Sequence, residues 1–480
     1  MSGNQFKDLR EFIQKLEEEG ELKKIKAEVD WNLEMGAIMR KVHDMEGPAI
    51  LFEKIKGYPS QNKFFCGGLG TYSKYAIAMG LPRNTSVAEI ISEYKKRIKT
   101  PIKPKVVDGA RSPCKENILT GEEIDLFKFP TPLWHQRDGG RYIGTFHTVS
   151  IKDPDSDWVN VGMYRIMIHD KRTLGIMMMP GQHGDVFYKK YEERNQSMPI
   201  AVSIGLDPMT AVAAAGHFEA LICEWDMAGA LRGKPVELVK CETVDLNVPA
   251  TAEIVIEGEV PPFERKEEGI FGEYTGYYGG ERKPRTIINV KCITHRNNPI
   301  HTGLFEGKPI QDNNIMSSVQ NSAIIGKALK DDLKLDIREV FDHPWSAGHG
   351  VIVSMKPLYP GHVNRVAHAI WSMKIGNARD YVFAVGEDVD PTNLNEVFWA
   401  LCTRCKPNRD IIPIPKDRSS SLWPCLTPDE RVKGMGCKVI IDATFPAEWP
   451  EDWIPKVCDF LDFNQEIREK VISRWREYGF

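Results

Sequence analysis

Apolar residues recur at helical spacing near the start of the chain. Leu9, Phe12, Ile13 and Leu16 fall on one side of a predicted helix, and Gly20 suits its C-terminal stop. Between residue 21 and about 105, short apolar runs such as Ala49–Phe52 alternate with helical patterning over 87–98, which predicts a small α+β domain. The proline-spaced stretch Thr100-Pro101-Ile102-Lys103-Pro104-Lys105 reads as a connector and places the first boundary near residue 110. From about 140 to 300 the pattern turns to strands, at 147–151, 158–168, 174–178, 252–258 and 286–294. Asp153-Pro154-Asp155-Ser156-Asp157 supplies the turn between the first two. An antiparallel barrel or sandwich is expected here, with a helical insertion at about 184–232. Beyond 310, strands at 351–355 and Tyr381–Val385 alternate with helices at 321–330, 362–373 and 394–402, the pattern of an α/β layer. A last amphipathic helix places Ile467, Val471, Ile472 and Trp475 on one side, to dock on its own domain or on a neighbouring subunit. The expected fold is thus mixed α/β (α+β), divided at 1–110, 111–310 and 311–480.

Composition narrows the function. The 480 residues are 42% hydrophobic and 27% charged, typical of globular chains, and are too many for one ordinary core. A net charge of −4 gives no electrostatic case for nucleic acid or an anionic membrane. No apolar run approaches the roughly 20 residues of a membrane span, and Met1-Ser2-Gly3-Asn4-Gln5 lacks a basic-then-apolar leader pattern. Ten scattered cysteines fit free thiols. A cytoplasmic enzyme is the expectation.

Candidate chemistry centres on Glu268-Gly269-Ile270-Phe271-Gly272-Glu273-Tyr274-Thr275-Gly276-Tyr277-Tyr278. Its glycines permit tight bends, and its two carboxyls beside aromatic rings can be driven to different pKa values, one an acid and one a charged base. A glycine-rich hairpin with solvated glutamates is the plain alternative. In Asn160-Val161-Gly162-Met163-Tyr164-Arg165 a regular strand would face Asn160 and Arg165 to opposite sides, whereas a break at Gly162 could turn both inward. Arg165 could then clamp a carboxylate or phosphate, or simply be solvated on a surface strand. Pro180-Gly181-Gln182-His183-Gly184-Asp185 precedes a predicted helix at 186–194, where an anion or a metal could sit. Gly205-Leu206-Asp207-Pro208 reads as a structural helix start. Glu224 and Asp226 offer carboxylates, solvated or functional. An Asn–His–Glu set with phosphate oxygens would suit hard Mn2+ or Mg2+. Cys402-Thr403-Arg404-Cys405 has no second cysteine pair at zinc spacing and lies late in a helix, so it carries no metal or redox assignment.

In this order, Asn160-x4-Arg165, Gln182-His183, Glu224 and Glu268-Gly-x-Phe-Gly-Glu273 resemble the UbiD-like family of prenylated-FMN-dependent decarboxylases. The flanking stretches Glu237-Leu238-Val239-Lys240-Cys241, Glu253-Ile254-Val255-Ile256-Glu257-Gly258, Arg296-Asn297-Asn298-Pro299-Ile300 and Gly386-Glu387-Asp388-Val389-Asp390 carry the same resemblance over most of the chain. The resemblance implies a metal bound by Asn160, His183 and Glu224 that holds the cofactor phosphate, with K+ nearby. It implies contacts from Arg165, Gln182 and Lys374 to prenylated FMN, and a catalytic network of Arg165, Glu268 and Glu273. It also implies an N-terminal domain, a split-barrel flavin domain and a C-terminal oligomerisation domain. The reaction implied is reversible, non-oxidative decarboxylation of an aromatic or heteroaromatic acid through a covalent adduct with the prenylated flavin, which acts as electron sink. Glu273 would deliver the proton. A flavin prenyltransferase would supply the cofactor, and the chain would form a homodimer or larger homo-oligomer.

Pocket candidates by position are Tyr274, Asn313, Asn314, Ser317 and the loop Ser419-Ser420-Ser421-Leu422-Trp423. Their polarity favours a hydroxylated or heteroaromatic acid over a plain cinnamic one. Two other functions remain open at this stage: a flavin-binding subunit of a larger carboxylase assembly, and a metal-dependent hydrolase that uses His183 and Glu224 without flavin.

Overall fold

The computed structural model describes residues 6–480, so the leader reading at Met1 to Gln5 lies outside it. The opening helix forms over Leu9–Glu18. Asp8 caps it by accepting from Glu11 N at 3.1 Å, and the expected Leu9, Phe12, Ile13 and Leu16 are buried under it. The helix Val87–Arg97 starts at a capping box between Ser86 and Glu89. The second packs on the helix Asp312–Lys327, and the first packs on a four-stranded sheet ordered Leu22–Ile25, Ala49–Phe52, Lys63–Cys66, Ile300–Thr302. The last of these arrives from far along the chain and pairs in parallel with Lys63–Cys66, placing His301 beside Phe64.

The centre is one 10-stranded sheet. Its path runs Tyr142–Gly144, Ile166–Ile168, Thr173–Ile176, Lys283–His295, Ile254–Val260, Met198–Ile204, His147–Lys152, Val159–Gly162. Arg265–Glu268 and Asn117–Thr120 also pair with the long strand Lys283–His295. Pairing is antiparallel, and the two end strands of the path do not pair with each other, so among the described residues the sheet is split rather than closed. Ile and Val side chains from these strands form one apolar cluster under it.

The expected helical insertion at 184–232 is only partly helical. Met198–Ile204 lies inside it yet forms a central strand between Ile254–Val260 and His147–Lys152. Six of its seven residues are buried, so it lacks the alternation that marks a half-buried strand, and periodicity cannot separate it from a buried helix. Helices His183–Glu193, Pro208–Ala214 and Glu224–Arg232 make up the rest. Asp207 caps the second of these from the expected position, accepting from Thr210 N at 3.2 Å, with Pro208 at the first helical position.

The C-terminal part is a five-stranded sheet ordered Glu339–Phe341, Gly350–Ser354, Tyr381–Val385, Met435–Ala443, Ile411–Arg418. Its long helix starts at Asp312, well before the expected 321, because buried polar residues (Asp312, Asn314, Ser318, Gln320) interrupt the apolar pattern of its first turns. The terminal helix Gln465–Ser473 leaves Ile467 and Ile472 exposed by 40% and 64%, and Trp475 in the turn after it by 51%, so it does not dock on its own domain. All ten cysteines are free, and Cys402 is exposed near the end of the helix Leu394–Arg404. No described helix is long and apolar enough to cross a membrane.

Candidate active site

The strand Val159–Gly162 ends at Gly162, and the break predicted there is what brings Asn160 and Arg165 into one cavity. A Cβ on Gly162 would lie 2.5 Å from the Tyr164 ring, so only glycine lets that ring fold back. Arg165 then reaches the carboxylates of the glycine-rich stretch. Its Nε and Nη2 donate to Glu268 Oε1 and Oε2, each at 2.9 Å, in a bidentate pair. Its Nη1 makes a close contact with Glu273 Oε1. The Tyr142 hydroxyl donates a third hydrogen bond to Glu268, at 2.9 Å, and the guanidinium lies 5.2 Å from the centre of the Phe271 ring.

The expected hairpin and the expected catalytic bend are the same object. Phe271–Gly272 pairs with Tyr278–Gly279, but Glu268 and Glu273 are buried instead of solvated. Gly272 is needed because a Cβ there would come within 2.6 Å of the His135 ring, while its N–H donates to Asp138 at 2.9 Å. The two carboxyls sit in unlike surroundings. Burial pushes Glu273 up to about 7, against the pull of the Arg165 charge. Arg165 itself loses by burial, but its hydrogen bonds and proximity to the two glutamates prevail and hold its proton tightly. One arginine therefore joins a fully hydrogen-bonded counter-ion to an acid that can carry a proton near neutrality.

On the other side of the cavity the fold gathers Asn160, His183 and Glu224. Asn160 Nδ2 lies 2.9 Å from Glu224 Oε1 and 3.4 Å from His183 Nδ1. Val161 N–H donates to Glu224 Oε2 at 2.8 Å. Burial raises Glu224 to about 7, and burial followed by the nearby Lys374 charge lowers His183 to about 4. A buried carboxyl, a neutral imidazole and an amide form a donor set that fits a hard divalent cation, which would favour the ionised carboxylate. Among the described residues no three His, Cys, Asp or Glu side chains gather as a metal site, so the amide of Asn160 is needed to complete one. Lys374 Nζ stands 3.2 Å from His183 Nε2 and donates to Phe218 O at 3.0 Å, in the same wall. Gln182 is the N-cap of His183–Glu193, and its Oε1 accepts from Met179 N at 2.8 Å.

All eight sequence-derived site residues thus line one cavity of about 900 Å3. Tyr274, Asn313, Asn314, Ser317 and Ser419 to Leu422 line it too. Trp423 instead stacks on His349 at 5.7 Å, behind the loop. Sequence reasoning missed Tyr142, Tyr164 and Glu306. Tyr164 was within reach, since it lies inside the Asn160–Arg165 stretch; its hydroxyl donates to Asn160 Oδ1 at 2.9 Å and accepts from Gly184 N at 3.2 Å. Tyr142 and Glu306 stand alone in sequence, and only the fold brings them here.

The chain belongs to the UbiD family. It matches the 3-octaprenyl-4-hydroxybenzoate carboxy-lyase N-terminal domain over residues 13–94, the Rift-related domain over 105–309 and the C-terminal domain over 315–443. It is 35% identical to a phenolic acid decarboxylase of Sedimentibacter hydroxybenzoicus, over 95% of each chain. Identity to the pyrrole-2-carboxylic acid decarboxylase of Pseudomonas aeruginosa is 29%, over 98% of each. In structure it resembles the closed form of the S. hydroxybenzoicus vanillic acid decarboxylase, with a TM-score of 0.90 at 34% identity over 98% of this chain and 99% of that one. An evolved dimeric form of the UbiD-class enzyme HmfF of Pelotomaculum thermopropionicum, in complex with prFMN, gives 0.81 at 28% identity over 96% and 99%. The chain is an enzyme of the carboxy-lyase class.

Proposed function

We propose that this enzyme removes CO2 from a hydroxylated aromatic or a heteroaromatic carboxylic acid, reversibly and without net oxidation, with prenylated FMN in the cavity. Asn160, His183 and Glu224 would hold Mn2+ or Mg2+ against the cofactor phosphate, with K+ nearby, and Gln182, Lys374 and Arg165 would contact the cofactor. When bound, the prenylated flavin supplies the electron sink that an sp2 carbon requires on losing CO2. Arg165 orients the substrate carboxylate, and Glu268 balances its charge. The bond between ring carbon and carboxyl carbon breaks, CO2 departs, and the Glu273 carboxyl gives its proton to the vacated ring carbon. Glu273 then recovers a proton from water, which leaves the enzyme unchanged.

The observation that carries this reading is the contrast between two buried carboxyls on one arginine. Glu268 takes a bidentate pair and a tyrosine hydroxyl, whereas Glu273 keeps an acid whose pKa is pushed up to about 7. The exposed Ile472 of the terminal helix and Trp475 just after it support assembly into a homodimer or larger homo-oligomer through residues 311–480.

The test is native mass spectrometry with a visible spectrum, on protein co-expressed with a flavin prenyltransferase and supplied with K+ and Mn2+. A bound mass of prenylated FMN plus one divalent metal per chain, followed by CO2 release from a panel of hydroxybenzoates and heteroaromatic acids, is expected. Metal without flavin would favour a hydrolase, and turnover of cinnamate-type acids alone would overturn the substrate class.

A further inference from the structure

Glu306 is a further buried acid of the cavity, beyond Glu224, Glu268 and Glu273, and nothing in the decarboxylation steps uses it. It stands in the turn between the strand Ile300–Thr302 and the helix Asp312–Lys327, 9% exposed, on the wall that also carries Asn313 and Ser317. Three neighbours fix it. The ring of His135 is bonded through Nε2 to its backbone carbonyl at 2.9 Å. Gln311 Nε2 donates to its Oε2 at 2.7 Å, and Asn313 Nδ2 donates to its Oε1 at 3.0 Å. Those two amides are held in turn, because Gln311 Oε1 accepts from Asn313 N at 2.6 Å and Asn313 Oδ1 accepts from Ser317 Oγ at 3.1 Å.

Both side-chain partners of Glu306 are neutral amides, and each uses one lone pair of one oxygen. A carboxyl offers about four such positions, so capacity remains beyond the two amides on a residue that lines the cavity. Burial, then the Glu273 charge, pushes this acid up to about 8. With each oxygen already accepting from one amide, a proton on either one and the unused lone pairs are left for a ligand in the cavity that Glu306 lines. A group that can both give and take a hydrogen bond satisfies this surface in either protonation state, and a hydroxyl is such a group. An ether oxygen takes only, and fluorine does neither well.

We propose that Glu306, clamped by Gln311 and Asn313, is the specificity-determining residue that pairs with a hydroxyl on the substrate ring. This rests on the decarboxylase reading above and assigns the selection of phenolic over unsubstituted acids to one side chain. A polar group left unpaired in a buried site penalises the wrong ligand, and sites built to bond a hydroxyl reject analogues lacking it by up to about 10^4–10^5.

The test compares cofactor-loaded wild type with Glu306→Leu on 3- and 4-hydroxybenzoate and their fluoro and methoxy counterparts. Wild type should prefer a hydroxy acid over its fluoro counterpart by at least roughly 100-fold in kcat/KM. Glu306→Leu, which can neither donate nor accept, should cut that preference to under about 10-fold, by losing turnover of the hydroxy acid far more than turnover of the fluoro acid. Calorimetric binding of the same acids to wild type should follow the same order, and it decides the matter if the variant fails to fold. An undiminished preference in a folded Glu306→Leu, or wild type that binds and turns over fluoro and hydroxy acids alike, overturns the assignment. Failure of wild type to release CO2 from every acid, despite bound cofactor, would instead overturn the decarboxylase reading.

Discussion

Arg165 and Glu268 face each other through two parallel hydrogen bonds of 2.9 Å, with the Glu268 side chain wholly shielded from water and that of Arg165 12% exposed. Removing one member of such a buried pair strands the other. Arg165→Met is therefore expected to destabilise the protein by about 3–5 kcal/mol, read as a lower denaturant midpoint at neutral pH. A double variant Arg165→Met with Glu268→Gln should recover a substantial part of that loss.

Glu273→Gln keeps the shape of the side chain and removes the proton. Decarboxylation should fall by roughly 10^2–10^4, with cofactor spectrum and metal content unchanged. The pH profile carries the same signature. Burial pushes Glu273 up to about 7, so the active protonated form dominates below that pH and is lost above it. Wild-type kcat/KM should fall about tenfold per pH unit on the alkaline side, and a flat profile from pH 6 to 9 would remove Glu273 as the donor.

Gly162→Ala tests the hinge. The added Cβ would press on the Tyr164 ring at 2.5 Å, and Tyr164 is what holds Asn160 Oδ1 and Gly184 N in place. A stability loss of about 1–3 kcal/mol is expected, together with lower bound divalent metal by elemental analysis.

How much of this was legible in the sequence follows from how local each signal is. The helix over Leu9–Glu18, the break at Gly162 and the paired acids 268 and 273 announce themselves within a few residues, by spacing or by glycine. The gathering of Asn160, His183 and Glu224 needs three elements to meet, and residue order carried it only through the family resemblance. Tyr142 and Glu306 have no local mark, because a lone tyrosine or acid beside a strand looks the same whether solvated or buried. Met198–Ile204 escaped for the opposite reason: burial on both faces erases the alternation that reveals a strand.

Glu224→Gln separates metal from fold. Burial raises Glu224 from its ordinary 4.5 to about 7 in the metal-free protein. Its stabilising share is whole below about pH 4.5 and is lost as pH rises through about 7. The melting temperature of metal-free Glu224→Gln relative to wild type should therefore climb across that window, while retention of divalent metal drops. A difference independent of pH would show that the carboxyl is not desolvated.

The strand Ile300–Thr302 completes a sheet whose other three strands end at Cys66. On the ribosome, at roughly 5–20 residues per second, that sheet waits on the order of tens of seconds for its last member. Until then the Lys63–Cys66 edge, with buried Phe64 and Phe65, stands open to any passing strand. Yield in a foreign host should therefore respond to chaperone supply and to slower growth, and a fragment ending before residue 300 is expected to aggregate during synthesis.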